Sequence, residues 1–384
     1  MLPCPLLARF VSGDLADLGA GPTWMLRRRP SEPGAVMLTF MDHVRSLAGC
    51  SLDTLGLGAA ETPYRIIAEP PGARLRAYQP PGQASGPALL IIASPIKRPY
   101  IWDLLPAVSV VRRCLARNLA VYLLEWRAPR ADEDGLGLAH YANQAPAAAI
   151  EAVFAERGRC SVILAGHSIG GTLAAVFAAL NPGLVAALLL IDALLSFVCE
   201  GGPLVRAVGA APPARHIRTL WGGPVPGSFL SYAGTAAAPE VFLGQRSTDL
   251  VACLFDGRAM ATHLRVERWA LDELSMPGQL FEDLVERLYR EDSLSKGHLD
   301  IGGQRARLDR LRCHVLAIVN PHGVVVPPAS MLRALAEMRY ARVQVLSYEK
   351  GIGSGLQHLG PMIAPRAHEH LWPRILDCLG APAM

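Results

Sequence analysis

The sequence predicts a protein of the α/β class, with a doubly wound, mostly parallel sheet into which a helical cap is inserted. Strand-type and helix-type segments alternate through most of the chain, as they do when crossover helices join parallel strands. Between about residues 200 and 305 this alternation stops, helical patterns are separated by Pro-Gly pairs, and no continuous strand-type run is seen. With 384 residues, of which 51% are hydrophobic, the chain can build one large core and an insertion.

Strands are predicted mainly at continuous apolar runs, because a parallel strand that is buried on both faces shows no polar alternation. The predicted strands are residues 64–68, 75–78, 88–93, 120–124, 161–165, 184–191, 313–319 and 342–346. The predicted helices are residues 37–47, 102–118, 147–157, 173–180, 281–289, 329–338 and 367–379. We therefore expect an N-terminal extension (residues 1–60), a core in two parts (61–200 and 306–384), and a cap (201–305) after the sixth strand.

The most informative segment is G-H-S-I-G at residues 166–170, which an apolar strand-type run precedes and a helix-type run follows. This context predicts that Ser168 lies on a strained strand-to-helix turn, the nucleophile elbow of an α/β-hydrolase. A Cβ at Gly166 or Gly170 would clash with the neighbouring strand and helix. The sequence thus predicts an α/β-hydrolase fold with Ser168 as nucleophile; an ordinary glycine-rich turn in a Rossmann-like sheet is the alternative.

Composition excludes several other classes of function. The net charge of +4 is spread without a basic block, which argues against nucleic-acid binding. The eight cysteines show no metal-binding spacing, so we expect reduced thiols, no metal and no cofactor. Residues 1–7 lack the basic region of a signal peptide, and the apolar stretch 184–198 is too short to cross a bilayer. We therefore expect a soluble, cytoplasmic protein without a membrane span.

Several segments beyond the elbow resemble polyhydroxyalkanoate (PHA) synthases, most closely the short class III type. Residues 94–104, S-P-I-K-R-P-Y-I-W-D-L, resemble that family's P-x-I-N-R-P-Y-I-x-D-L, and residues 121–126, V-Y-L-L-E-W, resemble its V-Y-L-I-D-W. In the expected cap, E-R-W-A-L-D at 267–272, P-G at 277–278 and L-Y-R-E-D-S-L at 288–294 match its M-E-x-W…D…P-G…L-Y-x-x-N-x-L. Later segments, 326–330, 358–360 and 371–373, match its V-P-P-A-S, H-I-G and W-P. The resemblance extends from about residue 63 to the C-terminus.

Two departures from the family pattern bear on the chemistry. The family's nucleophile is a cysteine, whereas this elbow carries Ser168. The family's acidic partner lies in D-H-I-V-P-P, and the corresponding run here, G-V-V-V-P-P, begins with Gly323. Of the family's catalytic partners only the histidine keeps its place, so the resemblance implies His358 as general base.

The acid that would orient this histidine has three candidates. Asp192 is our first choice, because it follows the strand after the elbow, where some α/β-hydrolases such as haloalkane dehalogenases place their acid. A purely structural role for Asp192 at this strand end is the alternative. Asn320 and Glu349 are further candidates for orienting the histidine. We interpret His167 and His322 as loop or packing residues.

The oxyanion hole is predicted from two backbone N–H groups. One belongs to Ile169, directly after the nucleophile, and the other to Ile96, in the loop after the third strand. Lys97 and Arg98 next to it are interpreted as a solvated pair, or alternatively as a site that attracts the phosphates of CoA or of a carrier arm.

A serine nucleophile changes the expected reaction. Cysteine forms an acyl-enzyme that is nearly isoenergetic with a CoA thioester, whereas serine forms an oxygen ester of lower free energy. We therefore expect transfer of an acyl group, 3-hydroxyacyl-like, from a CoA or carrier-protein thioester to water or a small nucleophile. Two alternatives stay open: a polyester synthase that uses serine, and a pseudoenzyme that serves as a partner subunit. A homodimer and a separate partner subunit also stay open.

Overall fold

The computed structural model describes residues 33–79, 86–197, 202–348 and 351–380. Its strands are β1 Arg65–Ala68, β2 Ala73–Ala77, β3 Ala88–Ile92, β4 Ala120–Trp126, β5 Val162–His167, β6 Val185–Ile191, β7 Leu299–Ile301, β8 Gln304–Ala306, β9 His314–Val319 and β10 Arg342–Ser347. Its α-helices are α1 Pro33–Thr54, α2 Val110–Ala116, α3 Ala145–Arg157, α4 Ile169–Leu180, α5 Pro203–Ala210, α6 Ala214–Trp221, α7 Gly227–Ala237, α8 Arg246–Cys253, α9 Gly257–Ala270, α10 Gly278–Glu282, α11 Pro328–Ala336, α12 Gly360–Ile363 and α13 Trp372–Gly380.

Eight strands form one sheet in the order β1-β2-β4-β3-β5-β6-β9-β10. Neighbouring strands are parallel except that β2 runs antiparallel to both β1 and β4. Every residue of β3, β4 and β5 is buried, which explains why these strands appear in the sequence as apolar runs without alternation. The prediction of a mostly parallel α/β sheet is confirmed.

The predicted helix at residues 102–118 is wrong in its first half. The chain forms short 3₁₀ turns at Pro99–Trp102 and Pro106–Val108 instead, and only Val110–Ala116 is α-helical. The prolines fix the backbone and remove donors that an α-helix would need. The Ser109 side chain then accepts a hydrogen bond from the backbone N–H of Arg112 and begins α2 as its N-cap.

Helices α5–α10 lie between β6 and β9, in the segment for which the cap is predicted. This segment also contains a β-hairpin, β7–β8, although no strand was expected there. Gly302 and Gly303 form its two-residue turn with φ of 61° and 86°, as a type I′ hairpin turn requires. The Gly-Gly pair was the available signal, but its flanking strands of three residues are too short to give a pattern.

The expected N-terminal extension contains a 22-residue helix, α1, which packs against α7 and α9. Arg268 of α9 donates two hydrogen bonds of 2.7 Å to the Asp53 carboxylate. The Asp42 carboxylate accepts hydrogen bonds from Gly227 and Ser228, the first two N–H groups of α7. Polar contacts therefore join this part of the extension to the cap helices.

No helix within the described residues is both long and apolar enough to cross a membrane. Free thiols are found at the described cysteines Cys114, Cys160, Cys253, Cys313 and Cys378. The segment at residues 1–7, Cys4 and Cys199 lie outside the described ranges.

Candidate active site

Ser168 joins β5 to α4 in a strained backbone conformation, with φ of 55° and ψ of −130°. Such a positive φ is uncommon for a residue other than glycine, and it persists only where the surroundings fix the chain. Here the Ser168 N–H donates to the carbonyl oxygen of Ile191 at 3.0 Å, and its carbonyl oxygen accepts the Gly171 N–H at 2.9 Å. Strand β6 and the first turn of α4 thus hold the turn from both sides.

Close packing around this turn explains its glycines. A Cβ on Gly166 would lie 2.4 Å from the carbonyl oxygen of Gly170, and a Cβ on Gly170 would lie 2.3 Å from that of Ile92. Helix α4 therefore begins in direct backbone contact with the end of β3. This contact brings the residue after the elbow and the loop after β3 to one corner of the sheet.

The two predicted oxyanion donors lie at this corner. Ile169 is the first residue of α4, and its N–H has no intrahelical partner. Within the described chain, neither the Ile169 N–H nor the Ile96 N–H donates a hydrogen bond. Another contact fixes the loop that contains Ile96: the Ile96 carbonyl oxygen accepts the Leu274 N–H at 2.8 Å. Two unpaired N–H groups on a fixed backbone can stabilise an oxyanion.

The structure brings His358 and Asp192 together, with 3.5 Å between His358 Nδ1 and Asp192 Oδ2. Asp192 is 2% exposed and has a φ of 40°, a second strained backbone position. Its other carboxylate oxygen accepts the Asn320 N–H at 3.0 Å. The described residues show no hydrogen bond between Ser168 Oγ and His358; such contacts often tighten only in the substrate complex.

The alternative acids are placed differently. Asn320 supports Asp192 through its backbone, and its side-chain oxygen accepts the His322 N–H at 3.0 Å. His322 is exposed on the same turn, and Glu349 lies outside the described ranges. At Gly323 a Cβ would lie 2.4 Å from the carbonyl oxygen of Val326, so this turn has no room for a side chain. The acid that the family carries at this point would require a different turn.

His167 holds His358 in place, a role that the sequence analysis missed. Its Nε2–H donates to the carbonyl oxygen of His358 at 2.9 Å, and the two ring centroids are 4.3 Å apart. Burial holds the pKa of the His167 imidazole well below its ordinary value, so the ring is neutral. Only adjacency to Ser168 could have indicated this contact, because it joins residues that are distant in sequence.

The loop before His358 is held by the cap, a second contact that the sequence did not reveal. The Asp249 carboxylate on α8 accepts N–H groups of Gly353 and Gly355 at 2.9 and 2.8 Å. Both glycines have positive φ, 83° and 67°, which turns these N–H groups toward one carboxylate. His263 of α9 contacts the same carboxylate through Nδ1 at 2.7 Å. The position of the loop therefore depends on the position of the cap helices.

Asp249, Cys253 and His263 also form the one group among the described residues whose ligand atoms lie close enough, within 4.8 Å, to hold a metal ion. The Asp249 oxygens, however, already accept N–H groups from the glycine loop and contact His263. Burial raises the pKa of the Cys253 thiol to about 11, which disfavours the thiolate that binds metals. We therefore interpret this cluster as a hydrogen-bonded contact between the cap and the glycine loop, and we assign it no metal.

Lys97 is not a solvated residue, and this expectation is wrong. Its Nζ forms an ion pair with the Glu273 carboxylate and donates to the carbonyl oxygen of Ala270 at 2.6 Å. Burial lowers its pKa to about 8. Arg98 is half exposed and lies 3.9 Å from the Glu125 carboxylate. Lys97 is thus committed to the contact between the core and the cap.

Two of the segments that resemble PHA synthases pack against each other at this contact. Trp269 Nε1 donates to the carbonyl oxygen of Arg98 at 2.8 Å, and the Tyr100 hydroxyl donates to Asp272 at 2.6 Å. Residues 94–104 of the core and 267–272 of the cap, which are distant in sequence, are therefore joined by hydrogen bonds.

Comparison with known proteins gives consistent results, although no protein-family model matches the chain. The poly(3-hydroxyalkanoate) polymerase subunit PhaC of Haloferax mediterranei is 26% identical over 353 residues, which cover 92% of this chain and 70% of the relative. PhaC of Synechocystis is 25% identical over 346 residues, 88% of this chain and 89% of the relative. PhaC of Thiocystis violacea is 25% identical over 288 residues, 75% of this chain and 79% of the relative.

Solved structures with the same architecture include Rv0554 of Mycobacterium tuberculosis, with a TM-score of 0.53 and 17% identity over 84% of this chain and all of that one. The enol-lactonase of Burkholderia xenovorans has a TM-score of 0.50 and 12% identity, covering 83% of this chain and 99% of that one. These likenesses confirm the predicted α/β-hydrolase fold. The PhaC similarities confirm the predicted resemblance to PHA synthases.

Proposed function

We propose that this PHA-synthase-like α/β-hydrolase is a serine-dependent acyl-transfer enzyme. It takes an acyl group, 3-hydroxyacyl-like, from a CoA or carrier-protein thioester to water or a small nucleophile. The observation that carries the proposal is the strained Ser168 at the sheet edge where His358 and Asp192 lie 3.5 Å apart. A serine on such a turn, with an imidazole and a buried carboxylate near it, is the arrangement that nucleophilic acyl transfer requires.

In the first half-reaction, His358 accepts the proton of Ser168 as Oγ attacks the thioester carbonyl. The N–H groups of Ile169 and Ile96 stabilise the resulting oxyanion. The C–S bond then breaks, the thiolate takes the proton from His358, and an oxygen ester remains on Ser168. Asp192 faces Nδ1 of His358, which leaves Nε2 to exchange protons with the serine and stabilises the imidazolium that forms.

The second half-reaction transfers the acyl group to the acceptor, whose proton His358 removes. Loss of the thiol is downhill, because the oxygen ester lies below the thioester in free energy. The acyl group therefore leaves the enzyme by hydrolysis or by transfer to an alcohol. Repeated chain transfer between thioesters, which a cysteine allows, is disfavoured.

Product analysis tests this distinction. Incubation with 3-hydroxybutyryl-CoA should release CoA together with free acid or a short ester, and no high-mass polyester. Labelled CoA should not exchange into the remaining substrate of the wild type, whereas Ser168→Cys should permit this exchange because its acyl-enzyme is a thioester. Robust polymer formation by the wild type contradicts the proposal and favours a serine polyester synthase, which the PhaC similarities make the second candidate.

Asp249 is proposed as a positioning residue for His358. Asp249→Asn keeps the size of the side chain but leaves one acceptor oxygen for two loop N–H groups, so kcat should fall about tenfold with little change in KM. Amide hydrogen exchange at Gly353 and Gly355 should accelerate in parallel. Asp256→Asn is the matched control, because Asp256 caps α9 in the same cap and forms no side-chain hydrogen bond to the described part of the loop. If both variants keep wild-type kcat and exchange rates, the positioning role is wrong.

A further inference from the structure

A groove with a volume of about 590 Å³ lies between the cap residues 292–298, the β7–β8 hairpin and α11. This volume is in the range that holds a nucleotide-sized ligand. Its basic lining residues are Lys296, His298, Arg305, Arg307 and Arg333. Its acidic lining residues are Asp292, Asp309 and Glu337.

The carboxylates of the groove are engaged by other protein groups. Asp292 is buried and accepts hydrogen bonds from the Phe197 N–H at 2.9 Å and the Ser295 hydroxyl at 2.6 Å. Asp309 accepts two hydrogen bonds, of 3.0 and 2.6 Å, from the Arg307 guanidinium. Glu337 forms an ion pair of 3.8 Å with Arg339, which does not line the groove.

Two cations of the groove, Lys296 and Arg305, form no ion pair with a carboxylate among the described residues. Lys296 Nζ donates to the carbonyl oxygen of Glu291, a neutral acceptor. Arg305 forms no ion pair with any residue in the described ranges. The lining has four permanent cations and three carboxylates, an excess of one positive charge, and Lys296 and Arg305 are exposed side chains that can turn toward an anion. A phosphate group can accept hydrogen bonds from a guanidinium and an ammonium group together.

The loop after β6 runs from the candidate active site to the groove. Ser196 lines the groove, and this loop begins at Asp192, directly after the Ile191 carbonyl that binds the Ser168 N–H. Four residues span at most about 14 Å, which is the upper limit for the separation of the Asp192 and Ser196 backbones. A small cavity of about 10 Å³ lies beside this loop, and its lining includes Leu194, Phe197, Tyr289 and Pro327.

We infer that the groove binds the phosphate end of the thioester donor, whose pantetheine arm then extends past the loop after β6 toward Ser168. This inference rests on the proposed function. It assigns the donor phosphate to the groove and not to Lys97, which is paired with Glu273. CoA and a carrier protein both supply a pantetheine phosphate, so the shared chemistry is a phosphorylated pantetheine thioester.

The test compares three 3-hydroxybutyryl thioesters: those of CoA, of pantetheine 4′-phosphate and of N-acetylcysteamine, which carries no phosphate. Arg305→Gln and the double variant with Lys296→Gln should raise KM for the CoA thioester about five- to tenfold per cation, with kcat unchanged. KM for the N-acetylcysteamine thioester should stay at the wild-type value. An equal loss with the pantetheine phosphate places the 4′-phosphate in the groove; a loss with CoA alone places the nucleotide there.

Arg310→Gln is the matched control, since Arg310 is an exposed arginine at the end of the short 3₁₀ helix Leu308–Arg310 and does not line the groove. Unchanged KM for all three thioesters in Arg305→Gln overturns the groove assignment, as does an equal loss with N-acetylcysteamine or in the control. Calorimetric binding of free CoA to Ser168→Ala, with and without Arg305→Gln, gives a readout that does not need turnover. If the wild type acts on none of the thioesters yet binds CoA through Arg305, the proposed function fails and the groove stands.

Discussion

Replacement of Ser168 by alanine should abolish acyl transfer, with a loss of turnover on the order of 10⁶-fold, as for other serine triads. The elbow offers no second nucleophile, and alanine removes only the hydroxyl from the strained turn. A fluorophosphonate probe should label the wild type at Ser168 and leave the alanine variant unlabelled. The melting temperature should change little, because Oγ makes no hydrogen bond within the described chain.

Ser161→Ala serves as the control, because Ser161 is an exposed serine just before β5. It should keep both turnover and labelling. Labelling that persists in Ser168→Ala, or turnover that survives there, contradicts the assignment of the nucleophile.

The second large effect is expected at the His358–Asp192 pair. His358→Ala removes the general base and should reduce turnover nearly as much as loss of the serine. Asp192→Asn should reduce turnover on the order of 10⁴-fold, because an amide no longer stabilises the imidazolium or its required tautomer. The fold should survive, since the asparagine oxygen can still accept the Asn320 N–H. Steady-state kinetics with circular dichroism separates the two effects.

The remaining histidines provide the comparison. His322→Ala should leave turnover unchanged, because His322 is exposed on the turn after β9. His167→Ala should give an intermediate loss, because it removes the N–H that holds the His358 carbonyl. A loss in His322→Ala as large as in His358→Ala would show that the base is misassigned, and full activity of Asp192→Asn would remove Asp192 from the mechanism.

Local patterns predicted the sheet and the elbow because both depend on local chemistry. Continuous apolar runs mark the buried strands, and the spacing of Gly166 and Gly170 follows from backbone contact at the turn. Asp192 was predicted from its position at a strand end, since neighbouring parallel strands end at one edge of the sheet. The start of α2 was predicted too early, because the helical apolar pattern continues across Pro106, where the chain forms a 3₁₀ turn instead of an α-helix.

Contacts between distant segments could not be predicted. Asp249 reaches a glycine loop more than 100 residues later, and nothing around it in the sequence indicates a partner. The buried ion pair of Lys97 with Glu273 is a similar case, because a lysine in a loop is usually solvated. In both, the position of the cap relative to the core decides the contact.

The most direct test of a serine-bound acyl intermediate is intact-mass spectrometry after brief reaction with 3-hydroxybutyryl-CoA and an acid quench. One 3-hydroxybutyryl group should appear on the wild-type chain, and peptide mapping should locate it on Ser168. The adduct should resist neutral hydroxylamine, which cleaves thioesters, and it should be absent from Ser168→Ala. An adduct that hydroxylamine removes, that maps to a cysteine, or that persists in Ser168→Ala would contradict the account.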